Sequence, residues 1–318
     1  MRKALRSLAG ALLPGTLLVA AAPAPAADQP AAVVRALLAD DTAVATVGYR
    51  LATANVDLCV EHMVESGMLI ETLAQYGSDY RAAAADILKL TERPTIALVV
   101  PGSPAERAEL QPGDALIEAD GAPFAETPPT IAGGTFTAVE AAMTALDSAL
   151  ADGTARLTVV RAGERRTIDV IGTPACKARF QLIPGDDPDA VANGTWVQLS
   201  TRMAGFAKTP DQLAAILGHE LAHNALGHRK SRAAIQRAQE LQADRLMPYL
   251  MARAGYDPAA AVGVWASFKR RHLGGLIQDA THPSWSERLR AVEAEVARIA
   301  ELKARGEAIV PPADLRPR

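Results

Sequence analysis

Apolar residues return at three- and four-residue intervals through residues 31–58, where Val34, Leu37, Leu38, Val44, Val47 and Leu51 share one side of a predicted helix. A second helical stretch is expected over about 61–90, ending before Pro94. The pattern then changes. Thr95 to Val100 reads as a strand, Pro101-Gly102-Ser103-Pro104-Ala105 as a turn entering a short helix, and Leu110 to Asp114 as a tight turn. That turn leads into the strand Ala115 to Glu118 and the turn Asp120-Gly121. Thr137 to Leu150 has helical periodicity, and Ala155 to Val160 with Arg166 to Ile171 form a hairpin around Ala162-Gly163-Glu164. After Cys176 come a strand at Arg179 to Ile183, a loop at Pro184 to Asp189, and the turn Asn193-Gly194 into the strand Thr195 to Ser200. From Thr209 onward the pattern is helical. Thr209 can cap, Pro210 suits the first helical position, and Gln212 closes a capping box ahead of the buried face Leu213, Ile216, Leu217, Leu221, Ala225 and Leu226. Ser284 and Glu287 make a similar start for the last helix.

The chain has 318 residues, a formal charge of −3, 49% hydrophobic and 22% charged residues, enough for one large or two modest domains. Nothing in that charge balance points to nucleic acid. Arg2, Lys3 and Arg6, the apolar run Leu8 to Ala22 and the small residues of Ala24-Pro25-Ala26 are expected to form a secretory signal peptide over 1–26, cut before Ala27. The rival is a membrane anchor, but the run is short and broken by Pro14. No later segment reaches the length of a spanning helix, so no membrane span is expected in the mature chain. The two cysteines, Cys59 and Cys176, are a disulfide candidate in an oxidising compartment, against the alternative of two unrelated buried thiols.

The chemistry concentrates at His219-Glu220-Leu221-Ala222-His223, an H-E-x-x-H run inside a predicted helix. At 3.6 residues per turn the two imidazoles lie roughly 40° apart on one face, as two zinc ligands require. Glu220 then stands where a carboxylate can take a proton from water held at the ion. A third ligand is needed. His228 lies about 180° away on a continuous helix and joins only if the helix breaks at Gly227. The metzincin pattern fails, because Leu226 and Arg229 occupy its Gly and His places. Glu240 and Asp244 are four residues apart on a second helix, so one can bind an ion while the other receives a hydrogen bond from a ligand imidazole; the alternative is a solvated acidic face. Thr281-His282-Pro283 and Arg288 flank the start of the last helix, suited to oxyanion stabilisation or, in the bland alternative, a loop histidine and a paired arginine.

His219-Glu220-Leu221-Ala222-His223, Glu240-Leu241-Gln242-Ala243-Asp244 and Thr281-His282-Pro283 with Arg288 together resemble the HtpX-like and CaaX-prenyl-endopeptidase gluzincins, and His228 matches a histidine often found at that spacing. The resemblance covers 177–318 and extends weakly to 31–58. It implies one Zn2+ per chain held by His219, His223 and Glu240, with Glu220 as general base. Asp244 would hold a ligand imidazole, and His282 and Arg288 would act on substrate or transition state. Two departures stand out: the membrane helices of the family are missing, and Pro248 should kink the second helix.

Val100-Pro101-Gly102-Ser103-Pro104-Ala105, Leu110, Gly113-Asp114, Ile117 and Asp120-Gly121 resemble a PDZ domain of the type attached to exported proteases. Glu109 stands where a glycine is common, and no Gly-rich carboxylate loop is evident before Thr95, which leaves peptide capture and a spacer or regulatory role both open. The expected fold class is α+β, a helix-rich zincin-like metallopeptidase domain with a small sheet plus a β-rich PDZ-like insert. The expected division is a signal peptide over 1–26, a helical part of the peptidase over 27–61, a helical connector over 62–91, the PDZ-like domain over 92–175 and the metallopeptidase domain over 176–318. A Cys59–Cys176 bridge would flank the insert. The expected activity is zinc-dependent endoproteolysis of exported, unfolded or extended proteins in the periplasm, with Thr195 to Thr201 as the sheet edge that aligns substrate. A peptide or protein ligand is expected for the PDZ-like part. The rival is a catalytically idle or latent zinc-stabilised scaffold whose PDZ-like part binds partners, with the insert or the tail from about Leu302 covering the cleft.

Overall fold

The computed structural model describes residues 28–127, 133–228, 233–271 and 283–316. The expected signal peptide and His282 lie outside them.

Helix α1 (Asp28–Ala54) carries the first apolar pattern and splits its length between two cores. Val44, Val47 and Leu51 pack with the helix-rich C-terminal half, whereas Val34 and Leu38 join Ala84, Leu88 and Ala97 in a separate cluster. At 1.5 Å per residue this helix is about 40 Å long, enough to serve both. Gly48 lets it lie directly on the small sheet of the C-terminal half: a Cβ there would sit 2.3 Å from the Phe180 ring.

After a short 3-10 turn, β1 (His62–Glu65) leaves this first core, followed by β2 (Met68–Glu71), α2 (Ser78–Ile87), β3 (Thr95–Val99), α3 (Pro104–Arg107), β4 (Ala115–Ala119) and β5 (Ala122–Pro123). Then come α4 (Thr137–Ala149), β6 (Thr154–Arg161), β7 (Glu164–Ile171) and β8 (Thr173–Cys176). The expectation of helix over 61–90 is corrected here, because only α2 is α-helical in that stretch. Met68–Glu71 is too short to show a strand period, and its pairing partner lies downstream in β3. The resulting sheet runs β2-β3-β4-β6-β7, with β5 attached to β4, so it begins well before residue 92. Its inner face packs on α4 through Ile70, Ile96, Leu116, Leu157, Ala142 and Leu146. Glu109 adopts φ 59°, a left-handed conformation that explains why glycine suits that place.

The chain returns along β8, which pairs antiparallel with β1 in the register His62↔Cys176. Cys59 and Cys176 form a disulfide with Cα atoms 5.5 Å apart, at the foot of this two-stranded bridge. The C-terminal half continues with β9 (Arg179–Ile183), β10 (Ala190–Ala192) and β11 (Trp196–Ser200), ordered β10-β11-β9. β11 is therefore the central strand, parallel to β9 and antiparallel to β10. The expectation that Thr195 to Thr201 is a sheet edge is corrected: the Asn193-Gly194 turn folds Ala190–Ala192 back across it, and β10 is the edge. A short α5 (Thr201–Ala204) leads to α6 (Pro210–Ala225), α7 (Ala233–Arg253), α8 (Ala259–Arg271) and α9 (Trp285–Ala304). Helix α7 runs through Pro248 to Arg253 without interruption; Met247, Tyr249, Leu250 and Met251 are fully buried around it, and that packing outweighs the lost hydrogen bond. No helix among the described residues is long and apolar enough to cross a membrane.

Two polar seams join the halves. Arg179 on β9 pairs with Asp147 on α4 and stacks on Trp196, whose ring meets Phe136 edge-on. Glu65 on β1 lies within electrostatic reach of both Asp147 and Arg179. On the far side, Asp41 of α1 faces Glu71 of β2, and Tyr76 donates to Glu71 at 2.6 Å. Burial, then Asp147, pushes the Glu65 carboxyl up to about 7. Burial, then Glu71 and Asp40, lifts Asp41 to about 8, and burial lifts Glu71 to about 6 against the Tyr76 hydrogen bond. These groups carry a proton more readily folded than unfolded, so stability is fully present below their ordinary values near 4 and is lost as pH rises through 6 to 8. The melting midpoint should therefore fall between pH 5 and pH 8, and Asp41→Asn with Glu65→Gln should flatten that fall; an equally steep profile in the double variant, read by differential scanning fluorimetry, counts against it. Replacing Cys59 and Cys176 by Ala, which releases a loop of sequence separation 117, should cost about 2–4 kcal/mol in denaturant unfolding.

Candidate metal centre

Helix α6 starts where its sequence says it should. Thr209 accepts a hydrogen bond from Gln212 N, and the Gln212 side chain accepts from Lys208 N, one residue before the usual capping-box donor. Twelve of its sixteen residues are buried, so H-E-x-x-H sits in a core helix with its side chains locked by packing. His219 Nε2 and His223 Nε2 approach to 3.3 Å. From α7, the Glu240 carboxylate reaches both, Oε2 at 3.4 Å from His219 Nε2 and Oε1 at 3.5 Å from His223 Nε2. One ligand atom from each of the three residues falls within 4.8 Å of the others, and the group could hold a metal ion. Two imidazole nitrogens and a carboxylate, with no thiolate, form a donor set that suits a borderline divalent ion with an open position.

Behind these atoms lies a buried support. Asp244, one turn beyond Glu240, has no solvent exposure. Its Oδ1 lies 3.1 Å from His219 Nδ1, a ring nitrogen with no other hydrogen-bond partner. Trp265 Nε1 of α8 donates to the same Oδ1 at 2.9 Å, and Arg288 of α9 donates through Nε to Oδ2 at 2.7 Å and through a terminal nitrogen to Oδ1 at 2.8 Å. Burial alone would raise the Asp244 carboxyl; the Arg288 charge and its hydrogen bonds, with those of His219, hold it far below the ordinary carboxylate range. Asp244 thus remains an acceptor, which keeps the His219 proton on Nδ1 and turns Nε2 toward the ion site.

Arg288 is itself 7% exposed and lies over the faces of Trp285 and Trp265, at 4.8 and 5.6 Å from the ring centroids. Its terminal nitrogen also lies 3.4 Å from Glu240 Oε2 and 3.3 Å from His219 Nε2. Arg288 is thus placed beside the candidate ion site; His282, its expected companion, lies outside the described residues. Ser284 accepts from Glu287 N at 3.1 Å and so starts α9 as expected, but the Glu287 carboxylate pairs with Arg237 at 2.7 Å instead of closing the box. Nothing in the sequence singles out Trp265, since one tryptophan in a helical pattern reads as core until Asp244 is seen beside it.

Glu220 is buried, at 9% exposure, and burial lifts its carboxyl to about 7, with Glu240 and Asp189 adding and His219 and Arg288 opposing. His223 turns its Nδ1 to His228 Nδ1 at 3.0 Å.

A two-histidine helix is joined here by a glutamate from the next helix and packs against a small mixed sheet. Residues 157–236 and 232–296 match Peptidase family M48, and residues 95–133 match a PDZ domain. These matches support an M48-type metallopeptidase with a PDZ domain. The chain is also similar to the HtrA3 PDZ domain solved with a phage-derived ligand (FGRWV), at 16% identity and a TM-score of 0.25, covering 36% of this chain and 89% of that one. Comparison with curated proteins returns no match.

Asp244→Asn should leave Arg288 buried without its counter-charge and cost about 3–5 kcal/mol of stability in the metal-free protein. Equal unfolding midpoints for variant and wild type would remove this pair as the support of the site.

Proposed function

We propose that the protein is a zinc metalloendopeptidase that binds one Zn2+ through His219, His223 and Glu240 and cleaves exported proteins in unfolded or extended form. The observation that carries this reading is the convergence of both Nε2 atoms and the Glu240 carboxylate beside a buried glutamate on the same helix. When bound, the ion supplies Lewis acidity, polarising the scissile carbonyl and acidifying water. Glu220 takes the proton of the attacking water and delivers it to the leaving amine, a role that its elevated basicity suits. Asp244 and Arg288 hold His219 in place. The edge strand β10, beside Asp189, offers backbone groups to a substrate laid out as an added strand, a mode that reads few side chains and so accepts varied sequences. A periplasmic setting accords with the Cys59–Cys176 bridge and with the basic, then apolar, start of the chain. The PDZ domain belongs to a class that binds peptides, and a protein partner or substrate segment is its proposed ligand.

Glu220→Gln separates this enzyme from a zinc-stabilised scaffold. The variant should keep stoichiometric zinc and lose casein hydrolysis by at least about 100-fold, whereas Glu240→Ala should lose the zinc. Undiminished hydrolysis by Glu220→Gln, or full zinc content in Glu240→Ala, would falsify the assignment.

A further inference from the structure

We propose that His228 is a positioning residue for His223: a neutral relay from Gln242 through the His228 ring fixes the His223 proton on Nδ1 and leaves Nε2 bare toward the ion. The inference rests on the metal reading above and adds a residue and a role to it.

The group that could hold an ion takes in His219, His223 and Glu240 and not His228, and the way α6 ends gives His228 another place. Gly227 adopts φ 65°, its N–H donates to Asn224 O, and His228 N donates to His223 O at 2.9 Å. This left-handed stop folds the chain back, so the half-buried His228 ring stands edge-on to His223 with centroids 5.1 Å apart. The contact is nitrogen to nitrogen, Nδ1 to Nδ1 at 3.0 Å, and as a hydrogen bond between neutral rings it takes one donor and one acceptor. If His228 donated it, the neutral His223 would carry its own proton on Nε2, directed at His219 Nε2 and Glu240 Oε1. That arrangement blocks coordination. Only the opposite one, with His223 Nδ1–H donating, leaves a lone pair at Nε2.

The remaining bonds agree with this direction. His228 must accept at Nδ1, so its own proton is on Nε2, and Gln242 of α7 is hydrogen-bonded to the same ring. The Gln242 amide nitrogen donates to Asp314 O at 3.5 Å, which turns its oxygen toward His228 as acceptor. The chain of donors thus runs from His223 through His228 and Gln242 to the 3-10 turn Ala313–Leu315, whose Asp314 is anchored by Arg245 at 2.6 Å. The two imidazoles are supported differently: His219 by a charged carboxylate, His223 by a neutral ring. A second carboxylate behind His223 would add negative charge to a site that already holds Glu220, Glu240 and Asp244.

Zinc dissociation constants measured by chelator competition on the full chain test this, comparing wild type, His228→Leu and His228→Asn. Asn places an oxygen near the position of the lost Nδ1. His228→Leu should weaken zinc binding roughly 10–100-fold with little change in the melting midpoint of the metal-free protein, and His228→Asn should return affinity close to wild type. In the zinc-loaded wild type, 15N–1H correlation spectra should place the His223 proton on Nδ1. Wild-type affinity in His228→Leu or no recovery in His228→Asn overturns the relay while leaving the metal site intact; a His223 proton on Nε2 in the zinc-loaded chain overturns both. A wild-type chain that takes up no zinc overturns the metal reading and the relay together.

Discussion

Asp244 receives hydrogen bonds from two helices, Trp265 of α8 and Arg288 of α9, and lies against the His219 imidazole on a third, α6, while itself sitting on α7 with no solvent exposure. A carboxylate in that position is tolerable only because Arg288 neutralises it and its oxygens are hydrogen-bonded; removing any partner would strand a charge in the core. The four helices are therefore held at one mutual arrangement by a polar cluster as well as by their apolar faces. That arrangement brings Glu240, one turn from Asp244, within 3.5 Å of both imidazoles. Burial and tautomer control are the same interaction seen from two sides: the ion pair that fixes the packing also fixes which nitrogen of His219 faces the ion site.

The PDZ domain is not on a free tether. It is entered and left through the paired strands β1 and β8, closed at the foot by the Cys59–Cys176 disulfide. It is then gripped on one side by Arg179 and Trp196, and on the other by the N-terminal half of α1. Both seams include carboxyl groups that burial pushes toward neutrality, so the docking is stabilised by apolar contact and one arginine while being burdened by acidic groups. Mildly acidic conditions relieve that burden.

The features legible in the sequence had strong local signals. The caps at Thr209 and Ser284, the hairpin at Ala162-Gly163 and the two-histidine face all depend on neighbours within a few residues. The pair Glu240 and Asp244 was visible as two carboxylates on one helix face, but their separate tasks emerged only with Trp265 and Arg288 in place. Four-residue β2 escaped notice because its partner lies more than twenty residues away and its apolar residues are compatible with helix. The misread edge at Thr195 to Thr201 has the same cause: Ala190–Ala192 is too short to declare itself a strand, yet it takes the outer position. His228 shows the limit of phase arguments, since a helical wheel says where a side chain cannot point and is silent on the path of the chain beyond a left-handed stop.

The small sheet of the catalytic half connects these features. Arg179 and Trp196 are register partners at the start of β9 and β11, and this end is the seat of the PDZ domain. At the other end, Asp189 and Ser200 exchange hydrogen bonds beside β10, and Asp189 is within electrostatic reach of Glu220. Asn224, on the same helix as the histidines, accepts from Gly194 N at 2.7 Å and so fixes the β10–β11 turn to α6. Strands this short transmit position well, because a five-residue strand spans only about 17 Å and has little room to flex. The β10 edge, the helix that bears the histidines and the seat of the PDZ domain are thus joined through one three-stranded sheet.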